Sequence, residues 1–107
     1  MPVTLVHNNV TYKIGKNARE NWQLIENAED DDLWIHLDKL PSCHVIIEYI
    51  SDLELSDIKY GCELCKQYSK YKEHNKIKVA VLKKEYVKKG KTVGEAKLLK
   101  DPQIITI

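Results

Sequence analysis

Leu33-Trp34-Ile35-His36-Leu37, Asp38-Lys39-Leu40-Pro41-Ser42 and Cys43-His44-Val45-Ile46-Ile47-Glu48-Tyr49-Ile50 follow one another without a gap. The first run alternates, as a strand with two unlike faces does. The second carries Pro41 and reads as a turn. The third, residues 43–50, is dominated by Val45, Ile46, Ile47 and Tyr49, which pack well on a pleated surface. Strand, turn, strand is the reading, and the rest of the chain arranges itself around it.

Upstream, Val3–Val6 and Val10–Ile14 are β-branched runs separated by His7-Asn8-Asn9. Asparagine tolerates positive φ, so this is an opening hairpin. Gly15 breaks the strand. Asn17 can cap a helix, with Glu20 at the capping-box position. Ala18, Trp22 and Ile25 then recur at helical spacing, which predicts a helix over residues 18–27. The acidic run Glu29-Asp30-Asp31-Asp32 ends it and reads as a solvated loop; it lacks the spaced ligands and glycine of a calcium loop.

Downstream, Ser56 is the expected cap of a second helix over residues 56–73. Its buried stripe is Ile58, Cys62, Cys65 and then Tyr68 or Ser69. His74-Asn75 stops it. Ile77–Leu82 reads as an alternating strand with Lys78 outward, extended through Glu85–Val87. A turn around Gly90, a strand over 95–99 and a last strand over 103–107 complete the chain. The expected fold is α+β: one domain over residues 1–107, with two helices on a mostly antiparallel mixed sheet of about six strands.

The chain has 107 residues, 43% hydrophobic and 31% charged, which is ordinary globular usage. No apolar run approaches the roughly 18 residues of a membrane helix. Met1-Pro2-Val3-Thr4 lacks the layout of a signal peptide. Three cysteines is an odd count. Together these point to free thiols in a cytoplasmic, reducing compartment, with no membrane partner.

The net charge of +1 hides an asymmetry. Residues 1–65 carry five basic side chains against twelve carboxylates. Residues 66–100 carry twelve lysines against Glu73, Glu85 and Glu95. A split of this kind suits a polyanion partner, though solvated lysines would look the same. Arg19 is the single arginine. Lysine attracts phosphate as a point charge, whereas arginine reads base edges, so backbone contact is favoured over sequence readout. Tyr68, Tyr71 and Tyr86 interleave the lysines between Lys66 and Lys91, offering faces to unstacked bases.

Other constellations are weaker. Cys62-x-x-Cys65 could be half of a zinc or redox site, but no second pair exists, and both lie on the apolar stripe of a helix, so core packing is expected. His36 and His44 flank the turn. They could hydrogen-bond it, line a ligand rim, or serve Cys43 or Ser42 as a base. Nothing supplies an orienting third group or an oxyanion loop. The glycines at 15, 61, 90 and 94 form no phosphate-binding fingerprint. The expectation is a non-enzyme without metal or cofactor.

Gly15-Lys16-Asn17-Ala18-Arg19-Glu20-Asn21, Asp32-Leu33-Trp34-Ile35-His36-Leu37-Asp38 and Leu40-Pro41-Ser42-Cys43-His44-Val45-Ile46 resemble the NFACT-R domain. Ser69-Lys70-Tyr71-Lys72 and Val87-Lys88-Lys89-Gly90-Lys91 fit the same family, and the resemblance spans about residues 10–107. The domain occurs in the large factors of ribosome-associated quality control and in small coiled-coil proteins. The resemblance implies binding of RNA, tRNA or ribosomal RNA, at the large ribosomal subunit. It implies contacts from Lys16, Asn17, Arg19, His36, His44, Ser69, Lys70, Lys72 and Lys89, with Trp34 and Asp38 as scaffold; the basic segment adds Lys88 and Lys91 as candidates. One departure is the turn, where Pro41-Ser42-Cys43-His44 stands for the family's Pro-Gly-Ser-His. The alternatives are a module docking on a ribosome-associated protein factor, and a DNA-binding domain.

Overall fold

Asn8 and Asn9 adopt φ of 51° and 66° in the computed structural model, which describes residues 1–107. That left-handed pair makes a tight turn whose twist matches the flanking strands. It joins β1 (Val3–His7) to β2 (Val10–Gly15). Helix α1 (Ala18–Asn27) follows with the predicted bounds, and the Asn17 Oδ1 accepts from the Glu20 amide at 2.9 Å. The Glu20 carboxylate turns back to the Lys16 amide, 2.9 Å, one residue earlier than the capping-box pattern.

β3 (Leu33–Leu37) matches its predicted run, while β4 (His44–Ile47) is shorter than residues 43–50. The cause is Asp32. Its Oδ1 accepts the Tyr49 amide at 2.9 Å, so that amide leaves the ladder. Its Oδ2 accepts the Glu29 amide at 2.9 Å. Asp32 is therefore a buried brace rather than part of a solvated loop.

Helix α2 runs Leu55–Gln67, not 56–73, and Glu54 is its cap residue instead of Ser56. The Glu54 amide donates to the Asp57 carboxylate at 2.9 Å. The far end is cut by Ser69, whose hydroxyl donates to the Lys66 carbonyl at 2.7 Å and accepts from the Tyr71 amide at 3.0 Å. A side chain that hydrogen-bonds the backbone in this way competes with the helix. Tyr68 is left largely exposed rather than on the buried stripe.

β5 (Lys78–Lys83) is buried on both faces between Val79 and Leu82, so it is not the half-exposed strand its alternation suggested. It does not extend through Val87. The Lys84 amide bonds the Asp32 carbonyl at 2.8 Å and the Glu85 amide the Asp30 carbonyl at 3.2 Å, forming a single 3₁₀ turn. β6 (Val87–Lys89) then pairs with β7 (Ala96–Leu98) as a separate ribbon, and β8 (Gln103–Thr106) returns to the edge of the main sheet. The main sheet has six strands in the order β1-β2-β4-β3-β5-β8, every pair antiparallel. The fold is α+β, as expected.

The sheet lies between two layers. On one face Tyr12, Ile14, Ile35, Val45, Ile47 and Val79 pack with Cys62 and Cys65 of α2. Both cysteines are fully buried, as the stripe predicted. On the other, Trp34, Ile46, Ala80 and Leu82 pack with Leu24 and Ile25 of α1 and Val87 of the ribbon. No helix is long and apolar enough to cross a membrane.

Gly15 sets how closely α1 sits on this second face. A Cβ there would lie 2.3 Å from Asn21 Oδ1 and 3.0 Å from the Asn21 amide nitrogen. The Gly15→Ala variant should lose about 1–3 kcal/mol, the cost of overpacking a close contact. Urea denaturation against wild type measures it; an unchanged midpoint would show that α1 can lift without penalty.

Candidate nucleic-acid interface

The segment Gly15–Asn21 spends most of its polar groups on itself. Asn17 caps α1, Glu20 holds the Lys16 amide, and Asn21 Oδ1 accepts the His44 amide at 3.1 Å. The Lys16 amide also draws the Glu20 carboxyl below its usual pKa. Residues 16–19 stay exposed, and of them Lys16 and Arg19 carry charge to the solvent.

Two clefts open around this segment. The first, about 460 Å³, has Lys16, Asn17 and Asn21 on one wall, Ser42 and Cys43 of the β3–β4 turn at its floor, and Tyr68, Ser69 and Lys70 opposite. The second, about 270 Å³, is lined by Trp34, His36 and His44 of the sheet, Asp38 and Lys39 of the turn, and Glu95, Ala96 and Leu98 of the ribbon. Gly94 belongs to both. Its φ is +91°, and a Cβ there would meet the Ala18 Cα at 2.7 Å, so glycine is required on both counts.

Six of the candidate residues are brought together: Lys16, Asn17, Ser69 and Lys70 in the first cleft, His36 and His44 in the second. Ser69 acts there through the backbone, as the residue that ends α2. Arg19 and Lys72 are exposed outside both clefts. Lys88 and Lys89 lie on β6 of the ribbon, and Lys91 in the loop that follows it. Lys89 pairs with Glu26 at 3.3 Å and sits over the Trp22 ring at 5.0 Å, which occupies its charge. Lys88 faces Lys97 directly across the ribbon, a like-charge pair that disfavours the ribbon unless an anion is near.

Sequence reading missed Lys39 and Lys97; Tyr68, read both as a face for bases and as a candidate for the buried stripe, lines the first cleft and is exposed. Lys39 stands at φ +59°, uncommon for a side chain of its size, and its neighbour Pro41 was the only signal for it.

The histidines are held neutral. Their rings meet edge to face with centroids 5.0 Å apart. The Trp34 indole Nε1–H donates to His44 Nδ1 at 3.1 Å. Burial first, and the neighbouring His36 second, press the His44 pKa down to about 3. Burial also lowers that of His36, against the opposing pull of the Leu37 carbonyl and Asp38. Cys43 gains no base from this arrangement: His44 Nδ1 is already engaged, and the Cys43 thiol is pushed up by its bond with Cys65 and by burial. Cys62 is pushed up to about 12, chiefly by burial.

Residues 4–100 match the family described as the NFACT protein RNA binding domain. The chain is 32% identical over 81 residues to the Rqc2 homolog RqcH of Bacillus subtilis (strain 168), covering 75% of this chain and 14% of that protein. It is 40% identical over 53 residues to coiled-coil domain-containing protein 25 of Mus musculus, covering 48% of this chain and 26% of that one. It therefore spans a minor part of either relative. The solved C-terminal region of the fibronectin/fibrinogen-binding protein from Streptococcus suis superposes with a TM-score of 0.90. That match covers 99% of this chain and 44% of that one at 22% identity, and so speaks to the fold.

The neutral His44 makes a pH prediction. Its folded pKa lies below the ordinary value of 6.5, so the unfolded chain binds the proton more readily. Its contribution is complete above pH 6.5 and is lost as pH falls toward about 3. Each unit in that window should cost wild type up to about 1.4 kcal/mol that a His44→Gln variant does not lose. Urea midpoints of both proteins between pH 7 and 4.5 measure the difference; parallel curves would mean that His44 is charged or solvated in the fold.

Proposed function

The chain belongs to the family of NFACT protein RNA binding domains, and we propose that it binds RNA across the two clefts. One observation carries the proposal. Lys16, from the start of the chain, and Lys70, beyond α2, face one cleft, and neither is in an ion pair. Two lysines outside any ion pair, Lys70 with its Nζ 5.7 Å over the Tyr71 ring, on a cleft lined by hydroxyl, amide and aromatic groups suit a phosphodiester backbone. Lys88, Lys91, Arg19 and Lys72 extend the positive surface outward as further phosphate contacts. Lys89 contributes less, because Glu26 and Trp22 already hold it.

The likeness to an Rqc2 homolog supports a place in ribosome quality control. Structured RNA is the favoured ligand class within that setting, and tRNA is the specific case to test, with ribosomal RNA of the large subunit next. The cytoplasm is the corresponding compartment. Binding rather than catalysis is the role in this reading, since Cys43 has no free base beside it. DNA and a ribosome-associated protein factor are the competing ligands. Matched RNA and DNA hairpins separate the first, since only RNA offers a 2′-hydroxyl. A pull-down that survives nuclease treatment would favour the second.

Affinity for tRNA should fall steeply with salt. The Lys16→Gln/Lys70→Gln double variant should weaken binding and reduce the slope of log K against log salt by about 1.5–2, near one unit per lost phosphate contact. Lys89→Gln should change the slope by less than either single variant. Filter binding across a salt series reads both. Absence of tRNA and ribosomal RNA binding at about 50 mM salt would end the proposal.

A further inference from the structure

The floor of the second cleft holds a polar group that the fold leaves unused. His44 is 2% exposed. Its amide donates to Asn21 and its Nδ1 accepts from Trp34. An indole N–H can only donate, so Nδ1 is bare and the imidazole proton sits on Nε2. That Nε2–H has no partner in the protein; the one sealed, unpartnered side-chain nitrogen in the chain is His7 Nδ1. His44 Nε2 therefore opens on the cleft that the ring lines.

His36 is its complement. Its Nδ1 lies 2.6 Å from the Leu37 carbonyl oxygen, which can only accept. Nδ1 therefore carries the proton, and Nε2 of the neutral ring is an acceptor. The two rings together offer one donor, one acceptor and no charge.

The walls narrow the choice of ligand. Ala80, Ala96 and Leu98 are apolar, and on the rim Asp38 offsets the single Lys39, while the Glu95 carboxylate accepts the Lys91 amide at 3.0 Å. A phosphate finds no net positive charge here and is attracted next door, by Lys16 and Lys70. The volume of about 270 Å³ is too large for a lone hydroxyl. It is slightly below the roughly 300 Å³ at which sites for drug-sized ligands begin. A heteroaromatic base has apolar faces and an adjacent donor and acceptor on its edge.

We propose that this cleft seats one unpaired nucleobase, with His44 Nε2–H donating to its edge and His36 Nε2 accepting from it. The phosphates beside that nucleotide run past Gly94 toward Lys16 and Lys70. The inference rests on the RNA-binding reading and adds that the RNA must present an unstacked base. Because every base carries a neighbouring donor and acceptor, the pocket selects for single-strandedness more than for sequence.

Two measurements test it. The first uses wild-type protein with ¹⁵N-labelled imidazoles, titrated with adenosine, cytidine and uridine, and with ribose 5-phosphate as control. The His36 and His44 signals should shift with the nucleosides and not with the control. No shift with any nucleoside at millimolar concentration would overturn the proposal while leaving RNA binding intact. The second compares a stem-loop RNA with a blunt duplex of equal phosphate number. Wild type should prefer the stem-loop by about tenfold, the scale of one base contact. His36→Phe, which keeps the ring and removes the acceptor, should abolish the preference with an unchanged salt slope. The Lys16/Lys70 double variant should weaken both RNAs and keep the ratio. Equal wild-type affinity for both RNAs, or a His36→Phe variant that retains the preference, would overturn the base pocket alone. Failure of wild type to bind either RNA would overturn the RNA reading and the pocket together.

Discussion

The close approach of α1 to β2 at Gly15 governs the rest of the molecule. Only a residue without a Cβ lets Asn21 come near enough to accept the buried His44 amide. Left unpaired, such an amide would cost about 1–3 kcal/mol. The contact fixes where α1 lies: on β2 and β4, reaching only one end of the next row of the sheet. That next row runs Gly15, His44, His36, Ala80, Ile104 across five strands. Because α1 meets that row at Gly15 and the His44 amide, the rings of His44 and His36 beyond are left to a cleft and not a helix. The ribbon then closes the far side, with Gly94 touching Ala18.

The densest motifs in the chain turn out to serve positioning. Asp32 braces two amides, Trp34 sets the tautomer of His44, Asn17 caps α1, and Ser69 ends α2. Each of these side chains is hydrogen-bonded within the protein, to backbone or to a neighbouring ring. Their effect is to bring plain groups, two lysines and two imidazole edges, into fixed relation. The Pro41-Ser42-Cys43-His44 turn fits this picture. Ser42 Oγ accepts the Leu37 amide at 3.1 Å and meets Cys65 Sγ at 3.5 Å, so the turn is tied into the core by side chains.

What could be read from sequence was local. The Asn8-Asn9 turn, α1 with its cap, and the β3 run depend on contacts within a few residues, and their signals were in place. The end of α2 was not legible, because a serine at helical spacing gives no sign that its hydroxyl has turned to Lys66 and Tyr71. The β6–β7 ribbon was hidden for a different reason: the amides of Lys84 and Glu85 are taken by residues 30 and 32, fifty positions back. The first cleft was half visible. Its residues carried the family resemblance, but Lys16 meets Lys70 only because the chain turns at Ser69. The neutral donor and acceptor of the second cleft needed Trp34 and Leu37 in place before either tautomer could be assigned.

The charge asymmetry of the sequence also changes meaning in three dimensions. The acidic loop folds back on the basic half: Asp31 and Glu85 flank Lys83, Asp30 reaches Lys84, and Glu26 reaches Lys89. Glu85 first, and Asp31 after it, raise the Lys83 pKa. Exposed pairs of this kind add little stability, but they cancel field. The lysines that keep their field are those without a carboxylate partner, among them Lys16, Lys70, Lys88 and Lys97. An excess of positive charge spread over the whole second half would attract any polyanion in any orientation. On the proposed reading, Lys16 and Lys70 at one cleft, beside a second that holds two neutral imidazoles, would orient a strand, with phosphates to the lysine side and bases to the histidine side.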